Sequence, residues 1–268
     1  MQASVIISYY KHLPNLALIL QGLQRQETGG KKFEVIISED DEALETLEFL
    51  SVWRERCSFP LKHLHQPDAG FRKCRALNLS IKAAESDLLI FIDGDCVPHP
   101  KFVAEYINCK APHRVLYGRR VMLGEAISKT LLQQDNLTAI SIFNLVAKGS
   151  KRVEEGLYLP WVPQNFKHKN ADRLLGCNMG INKEDLIAIN GFDEDYTAAG
   201  AGEDSDIEWR LEALKGIQFF SMKFRAIVYH LYHPLRFTPA MEQANYRLLH
   251  AKMKDGFYVC KNGLEKLP

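Results

Sequence analysis

Three short apolar runs constrain this chain more than any other feature. They are ASVIIS from Ala3 to Ser8, FEVIIS from Phe33 to Ser38, and DLLIFI from Asp87 to Ile92. Each is apolar at consecutive positions rather than at alternate ones. A strand with one wet face alternates, so runs of this kind describe strands covered on both faces, the condition of a parallel sheet between helical layers. Helix-like stretches separate them: Leu13 to about Gln26, a charged amphipathic segment from Asp41 to Arg56, and about Gly70 to Ala84, with a further short apolar piece at Leu61–His65. Strand and helix in alternation predict an α/β sheet.

The second half is less regular. Gly124 to about Lys151 reads as helical, and Lys151–Asn170, with Pro160 and Pro163, as an irregular polar loop. Leu174–Asn182 and Gly216–His230 read as strands, with helices at Glu203–Lys215 and Pro239 to about Asp255. A chain of 268 residues can bury about three quarters of its unfolded surface, enough for one large domain with or without a smaller lobe. Lys and Arg number 34 against 33 Asp and Glu, which excludes nucleic-acid binding driven by bulk charge. No run approaches the ~18 apolar residues of a membrane span. The six cysteines form no CxxC pair and are expected as reduced, mostly buried thiols. MQASVIISYYKHLPN has no cationic stretch ahead of its apolar run, so the expected location is the cytoplasm.

Charge is balanced overall but not locally. Glu184–Glu208 holds nine acids and no Lys or Arg, whereas Lys215 to the end holds nine Lys and Arg against three acids. The basic, aromatic C-terminal stretch reads first as a solvated face, with peripheral contact to anionic lipid or polysaccharide at the inner membrane face as the alternative.

Three constellations could carry chemistry. Asp93-Gly94-Asp95 follows DLLIFI, and in an open parallel sheet ligands bind beyond the carboxyl ends of the strands. An Asp-Gly pair alone is an ordinary turn; after a buried strand it becomes a candidate site for Mg²⁺ or Mn²⁺, which take carboxylate oxygens and substrate phosphates together. Gly200-Ala201-Gly202-Glu203-Asp204-Ser205-Asp206 lets a ligand approach the backbone and places acids in a first helical turn, where acids also serve simply as dipole partners. It is not a dinucleotide fingerprint, and no Walker A sequence occurs. His230-Leu231-Tyr232-His233 at a strand end offers imidazoles to a metal, although a histidine in that place is more often structural.

Together these residues resemble an inverting glycosyltransferase of family 2 with the GT-A fold, a Rossmann-like, mostly parallel sheet flanked by helices with a smaller acceptor-side subregion. FIDGDCVPHP resembles the DxD motif, and QPDAGFRKCRALNLSIKAAESDLLIFIDGD the segment before it. GCNMGINKEDLIAINGFDEDYTAAGAGEDSDIEWRL resembles the acceptor-side module shared by galactosyltransferases and chondroitin-type polymerases. The resemblance implies a nucleotide-sugar-binding half at 1–120 and an acceptor-binding, catalytic-base half at 121–268 of one domain. It implies Asp95 on the metal, with Asp93 on the ribose or the metal; His230 completes the metal shell, and His233 is the rival. Ser8, Tyr10, Glu39, Asp40, Arg75, Asn78 and Gly94 would line the donor site, with Glu39 and Asp40 against uracil. Asp204 would be the base, with Glu203 beside it, and Asn178, Trp161 and Gly202 would meet the acceptor. The aromatic residue of the related loop is missing here, where Gly200 and Ala201 stand, so Trp161 is the substitute platform.

The implied reaction moves a hexosyl or N-acetylhexosaminyl group from a UDP-sugar to a glycan or lipid-linked glycan of a surface polysaccharide. It would use Mn²⁺ or Mg²⁺ and have loop 151–170 as a lid. Two other readings compete with this one. A sugar-phosphate nucleotidyltransferase needs a Gly-rich phosphate loop, and SYYKHLPN has no glycine. An inactive glycan-binding module would not need Asp93, Asp95 and Asp204 all in place.

Overall fold

A computed structural model describes residues 1–134, 137–163, 174–200, 202–235 and 237–267. The three apolar runs are adjacent strands, β1 (Ala3–Tyr9), β2 (Phe33–Glu39) and β4 (Leu88–Asp93), and all pair in parallel through β1. With β3 (Leu61–Leu64), β6 (Arg114–Tyr117), β8 (Met179–Asn182) and β9 (Gln218–Ser221) they form a seven-stranded sheet in the order β3-β2-β1-β4-β8-β6-β9. β8 is antiparallel to both its neighbours, and the other pairs are parallel.

Consecutive residues are apolar because each face has its own core. Val5, Ile7, Val35, Ile37, Ile90 and Ile92 face one cluster, with α1 (Leu13–Gln24). Ile6, Ile36, Leu89 and Phe91 face the other, with Cys74, Leu77 and Ile81 of α3 (Lys73–Ala83) and Ile207 and Leu211 of α8 (Glu203–Glu212). α2 (Leu44–Arg56) adds Leu50, and α4 (Phe102–Cys109) adds Phe102, Val103 and Tyr106, to the first cluster.

A second sheet, β5-β10-β7, joins β5 (Cys96–Pro98), β10 (Val228–His230) and β7 (Arg120–Met122). Its register sets His230 opposite Cys96 and beside Met122. Among the described residues the other α-helices are α5 (Glu125–Gln134), α6 (Ile142–Ala147), α7 (Lys183–Ala188) and α9 (Pro239–Asp255), with a short 3-10 helix at Val153–Gly156. The limits of α9 are those expected from sequence: Thr238 accepts from the Met241 N–H, Pro239 opens the first turn, and Gly256 closes it at φ +76°.

Elsewhere tertiary contacts redraw the expected limits. α3 begins at Lys73 rather than near Gly70 because Gly70, at φ +82°, and Arg72, at φ −134°, are not helical; the Arg72 N–H donates instead to Asp40 at 2.7 Å. Gly216–His230 is two strands, β9 in the large sheet and β10 in the small one, joined by a turn at Met222–Ala226. Gly124–Lys151 holds two separate helices, and strand geometry in Leu174–Asn182 begins only at Met179. The chain halves interlock, since β8 of the second lies between β4 and β6 of the first. Among the described residues no helix is long and apolar enough to cross a membrane, and all six cysteines are free thiols.

Candidate active site

The carboxyl ends of β1, β2 and β4 open on one edge of the large sheet, and the acidic motifs gather there. Asp93 ends β4 level with Ser8 of β1. A methyl on Gly94 would lie 2.8 Å from the Ser8 carbonyl, so the turn that releases Asp95 from the sheet requires glycine. Asp95 leaves toward β10: its carbonyl accepts from the Leu231 N–H at 2.8 Å, and its carboxylate lies 3.5 Å from His230 Nε2 and 3.1 Å from His233 Nε2.

This group fits a divalent metal. Asp95, Cys96 and His230 each offer a ligand atom within 4.8 Å of the others. His230 Nδ1 is buried with no hydrogen-bond partner, and burial pushes the imidazole pKa down, so the ring is neutral at neutral pH, as a ligand must be. Burial would raise the Asp95 pKa, but the His233 hydrogen bond and the imidazole charges outweigh it and hold it at about 2. The carboxylate is therefore ionised. His230 and His233 both reach Asp95, so the two expected rivals stand together. A cavity of about 250 Å³ abuts them, lined also by Met122, Gly124, Glu125 and Lys151.

Asp93 does not join that group. Its Oδ1 pairs with Lys73 Nζ at 3.0 Å, and Lys73 lies 3.5 Å from Glu203 Oε1. Glu203 and Asp204 open α8 behind Gly202, whose φ of +132° and closeness to Asn245 (2.8 Å from a built methyl) admit no side chain. Gly202 is thus a backbone hinge for the acids. Ala201, the other half of the expected GGED-like match, lies outside the described residues.

Asp204 Oδ2 accepts from the Gly176 N–H at 2.7 Å, while Oδ1 is buried without a partner. Burial pushes both carboxyl groups up, and with Asp204 alongside, Glu203 reaches about 7. Burial would lower Lys73, but Asp93, Glu203 and Asp204 outweigh it and push it up.

Several expected ligand residues turn out to be structural. Glu39 is fully buried, accepting from Thr46 Oγ1 at 2.6 Å and pairing with His63 at 2.7 Å, so it offers no free edge to a base. Asp40 accepts from Gln66 Nε2 and the Arg72 N–H, and Arg75 donates to Gln66 Oε1; this chain of bonds sets the start of α3. Asn78 does not face a nucleotide: it donates to the Phe192 carbonyl and Glu194 and accepts from the Phe192 N–H, locking α3 to the loop before α8. Asn178, expected at the acceptor, also has its side chain committed inside the protein. It is fully buried, takes the Tyr106 hydroxyl at 2.6 Å, and donates to the Arg119 and Ala226 carbonyls.

Tyr10 is exposed and its hydroxyl reaches Asp68, which Lys11 also holds, in the loop beside the β1 end. Trp161 is 74% exposed, as a contact platform would be, but the rest of the expected lid, 164–170, lies outside the described residues. Lys252 of the basic C-terminal helix is spent on Asp193 and Asp195. Lys73 and Gly176 were missed. Both stand in the motif stretches, but Lys73 shares α3 with Arg75 and Lys82, so residue type alone did not single it out.

Residues 4–149, more than half of the chain, match the description "Glycosyl transferase family 2". The chain belongs to that family. Residues 162–234 match "N-terminal domain of galactosyltransferase". Among curated relatives, the chondroitin synthase of Escherichia coli is 29% identical over 244 residues, 85% of this chain and 34% of the relative. The validoxylamine A glucosyltransferase of Streptomyces hygroscopicus subsp. jinggangensis is 25% identical over 78% of this chain and 51% of the relative. This family 2 chain therefore spans about a third to a half of those proteins.

Solved structures confirm the GT-A fold. GalNAc-T7 with UDP, GalNAc and Mn²⁺ superposes with a TM-score of 0.64 at 15% identity, over 99% of this chain and 51% of that one. S. aureus TarS 1–349 with UDP gives 0.62 at 16% identity, over 94% and 65%.

Proposed function

We propose that this family 2 chain is a metal-dependent, inverting transferase that moves a sugar from a UDP-sugar to a saccharide hydroxyl. The observation that carries this reading is two groups beyond the end of β4: Asp95 with its two histidines, and Glu203 with Asp204, which Lys73 ties to Asp93. Family membership, and relatives and neighbours that carry UDP, UDP-GlcNAc or Mn²⁺, support it.

Asp95, His230 and His233 would hold Mn²⁺ or Mg²⁺. The ion would supply Lewis-acid neutralisation of the charge that grows on the leaving diphosphate. Asp204 Oδ1, the unpartnered oxygen, takes the proton of the attacking hydroxyl. As the new C–O bond forms, the bond from the anomeric carbon to the diphosphate oxygen breaks on the opposite face, and the configuration inverts. The Gly176 N–H holds Oδ2, so the carboxylate cannot rotate away from the acceptor. The acceptor class we propose is a surface glycan or its lipid-linked precursor, reached from the cytoplasm. The chondroitin synthase relative supports a polysaccharide.

Calorimetric titration with UDP, GDP, CDP and dTDP, first with Mn²⁺ and then with EDTA, tests the donor half. UDP should bind only with the metal, and Asp95→Ala should abolish that binding. Metal-independent binding, or binding that survives Asp95→Ala, would refute the metal assignment.

A further inference from the structure

Lys73 is a largely buried cation that the proposed reaction leaves without a task. It is the first residue of α3, its side chain is 14% exposed, and it stands between the two halves of the site. Its ammonium lies 3.0 Å from Asp93 Oδ1 on the donor strand and 3.5 Å from Glu203 Oε1, a residue 130 positions later in the chain. A methyl built on Gly176 would lie 3.2 Å from Lys73 Nζ and 2.7 Å from Asp204 Oδ1. The ammonium and the free oxygen of the base thus share the space that Gly176 leaves open.

Three carboxylates crowded into a buried site repel one another, and the cheapest relief is for one of them to take a proton. A base that holds a proton cannot accept one. A single ammonium among the three offsets part of the repulsion while letting them stay close. Asp204 is faced by Lys73 from α3, Glu203 from its own helix, Asp93 from β4, Arg120 from β7 and the Gly176 N–H from the loop before β8. Of the two cations, Lys73 is the one paired with both the donor side and the acceptor side, because Arg120 points its guanidinium at Cys177. A compact ammonium with three rotatable donors suits three carboxylates spread over β4 and α8 better than a planar guanidinium does.

We propose that Lys73 is a positioning residue that ties Asp93 of the donor side to Glu203 and Asp204 of the acceptor side, fixing their spacing and keeping the base ionised. This rests on the reading of Asp204 as base. It makes the donor strand and the base helix one electrostatic unit, so that movement of Asp93 toward an arriving donor leaves the ammonium to the acidic pair.

The test compares Lys73→Met, Lys73→Arg and Asp204→Asn with the native chain. UDP release is measured from UDP-N-acetylglucosamine, UDP-N-acetylgalactosamine and UDP-glucose with Mn²⁺ across pH, with water as acceptor. Two readouts do not depend on turnover: the Kd of UDP with Mn²⁺, and metal-free melting at low and high pH. Lys73→Met should lower kcat about tenfold or more and move its acid limb up by about one pH unit. It should leave the Kd for UDP within about twofold and lower the melting temperature more at high pH than at low. Lys73→Arg should restore part of kcat by returning the charge. If Lys73→Met gives no cooperative melt, Lys73→Gln is read in the same way.

An acid limb that stays at its native position overturns the proposal. So does a loss of UDP affinity as large as the loss of kcat, which would make Lys73 a donor ligand. Asp204→Asn separates the two questions: full transfer in that variant removes the base assignment itself. Its inactivity beside a native Lys73→Met profile removes only the role of Lys73.

Discussion

Replacing Glu203 by glutamine should make the metal-free protein more stable, and increasingly so as the pH rises. Glu203 is 5% exposed, and burial beside Asp204 lifts its pKa from 4.5 to about 7 even with Lys73 nearby. The folded-state value lies above the unfolded one, so the group's contribution to stability is complete below about pH 4.5 and is lost as the pH climbs through about 7. A shift of two to three units at about 1.4 kcal/mol each comes to roughly 3 kcal/mol. Glutamine fills the same space and never ionises. The two proteins should melt together near the acid end and diverge by about 6 to 12 °C at the alkaline end, given about 2–4 °C per kcal/mol for a chain of this size. The assay is thermal unfolding in EDTA at low salt, followed by circular dichroism across pH. A difference that is flat with pH would refute the argument, because Glu203 would then ionise in the folded protein as easily as in the unfolded one.

Other outcomes follow from the same geometry. Asp204→Asn should keep Mn²⁺-dependent UDP binding by calorimetry and lower kcat by about 10²–10⁴-fold; transfer near the native rate would exclude Asp204 as the base. Asn178→Ala should behave as a core lesion, since it abandons the Tyr106 hydroxyl and two backbone carbonyls. Each buried group left unsatisfied costs about 1–3 kcal/mol, which chemical unfolding will read. An unchanged midpoint with a raised acceptor KM would instead return Asn178 to the acceptor site.

Much of the fold was legible because it follows from local rules. ASVIIS, FEVIIS and DLLIFI lack alternation, and such strands must be buried on both faces, so a parallel α/β sheet follows without knowledge of any contact. The DGD turn follows from its place after such a strand, and α9 from Thr238, Pro239 and Gly256 at its ends. Residue type was a poorer guide to role within the site. Glu39, Asn78 and Asn178 are polar residues in suggestive motifs, yet each spends its hydrogen bonds inside the protein. Burial is the property that separates a ligand from a strut, and it is set by distant parts of the chain.

The amino-acid sequence by itself thus determined the sheet, the order of the motifs and the family, because periodicity and short motifs are properties of neighbouring residues. Tertiary structure decided which groups meet. The pairing of β10 with β5 carries His230 to Asp95 across more than a hundred residues, and the break after β9 that permits it has no signal in GIQFFSMKFRAIVYH. Lys73 gains its place only when α3, β4 and α8 converge on the same sheet edge. A lysine on a helix is ordinary in sequence. What gives this one weight is the desolvated company of three carboxylates, and an electric field of that kind is the sum of parts no local pattern contains.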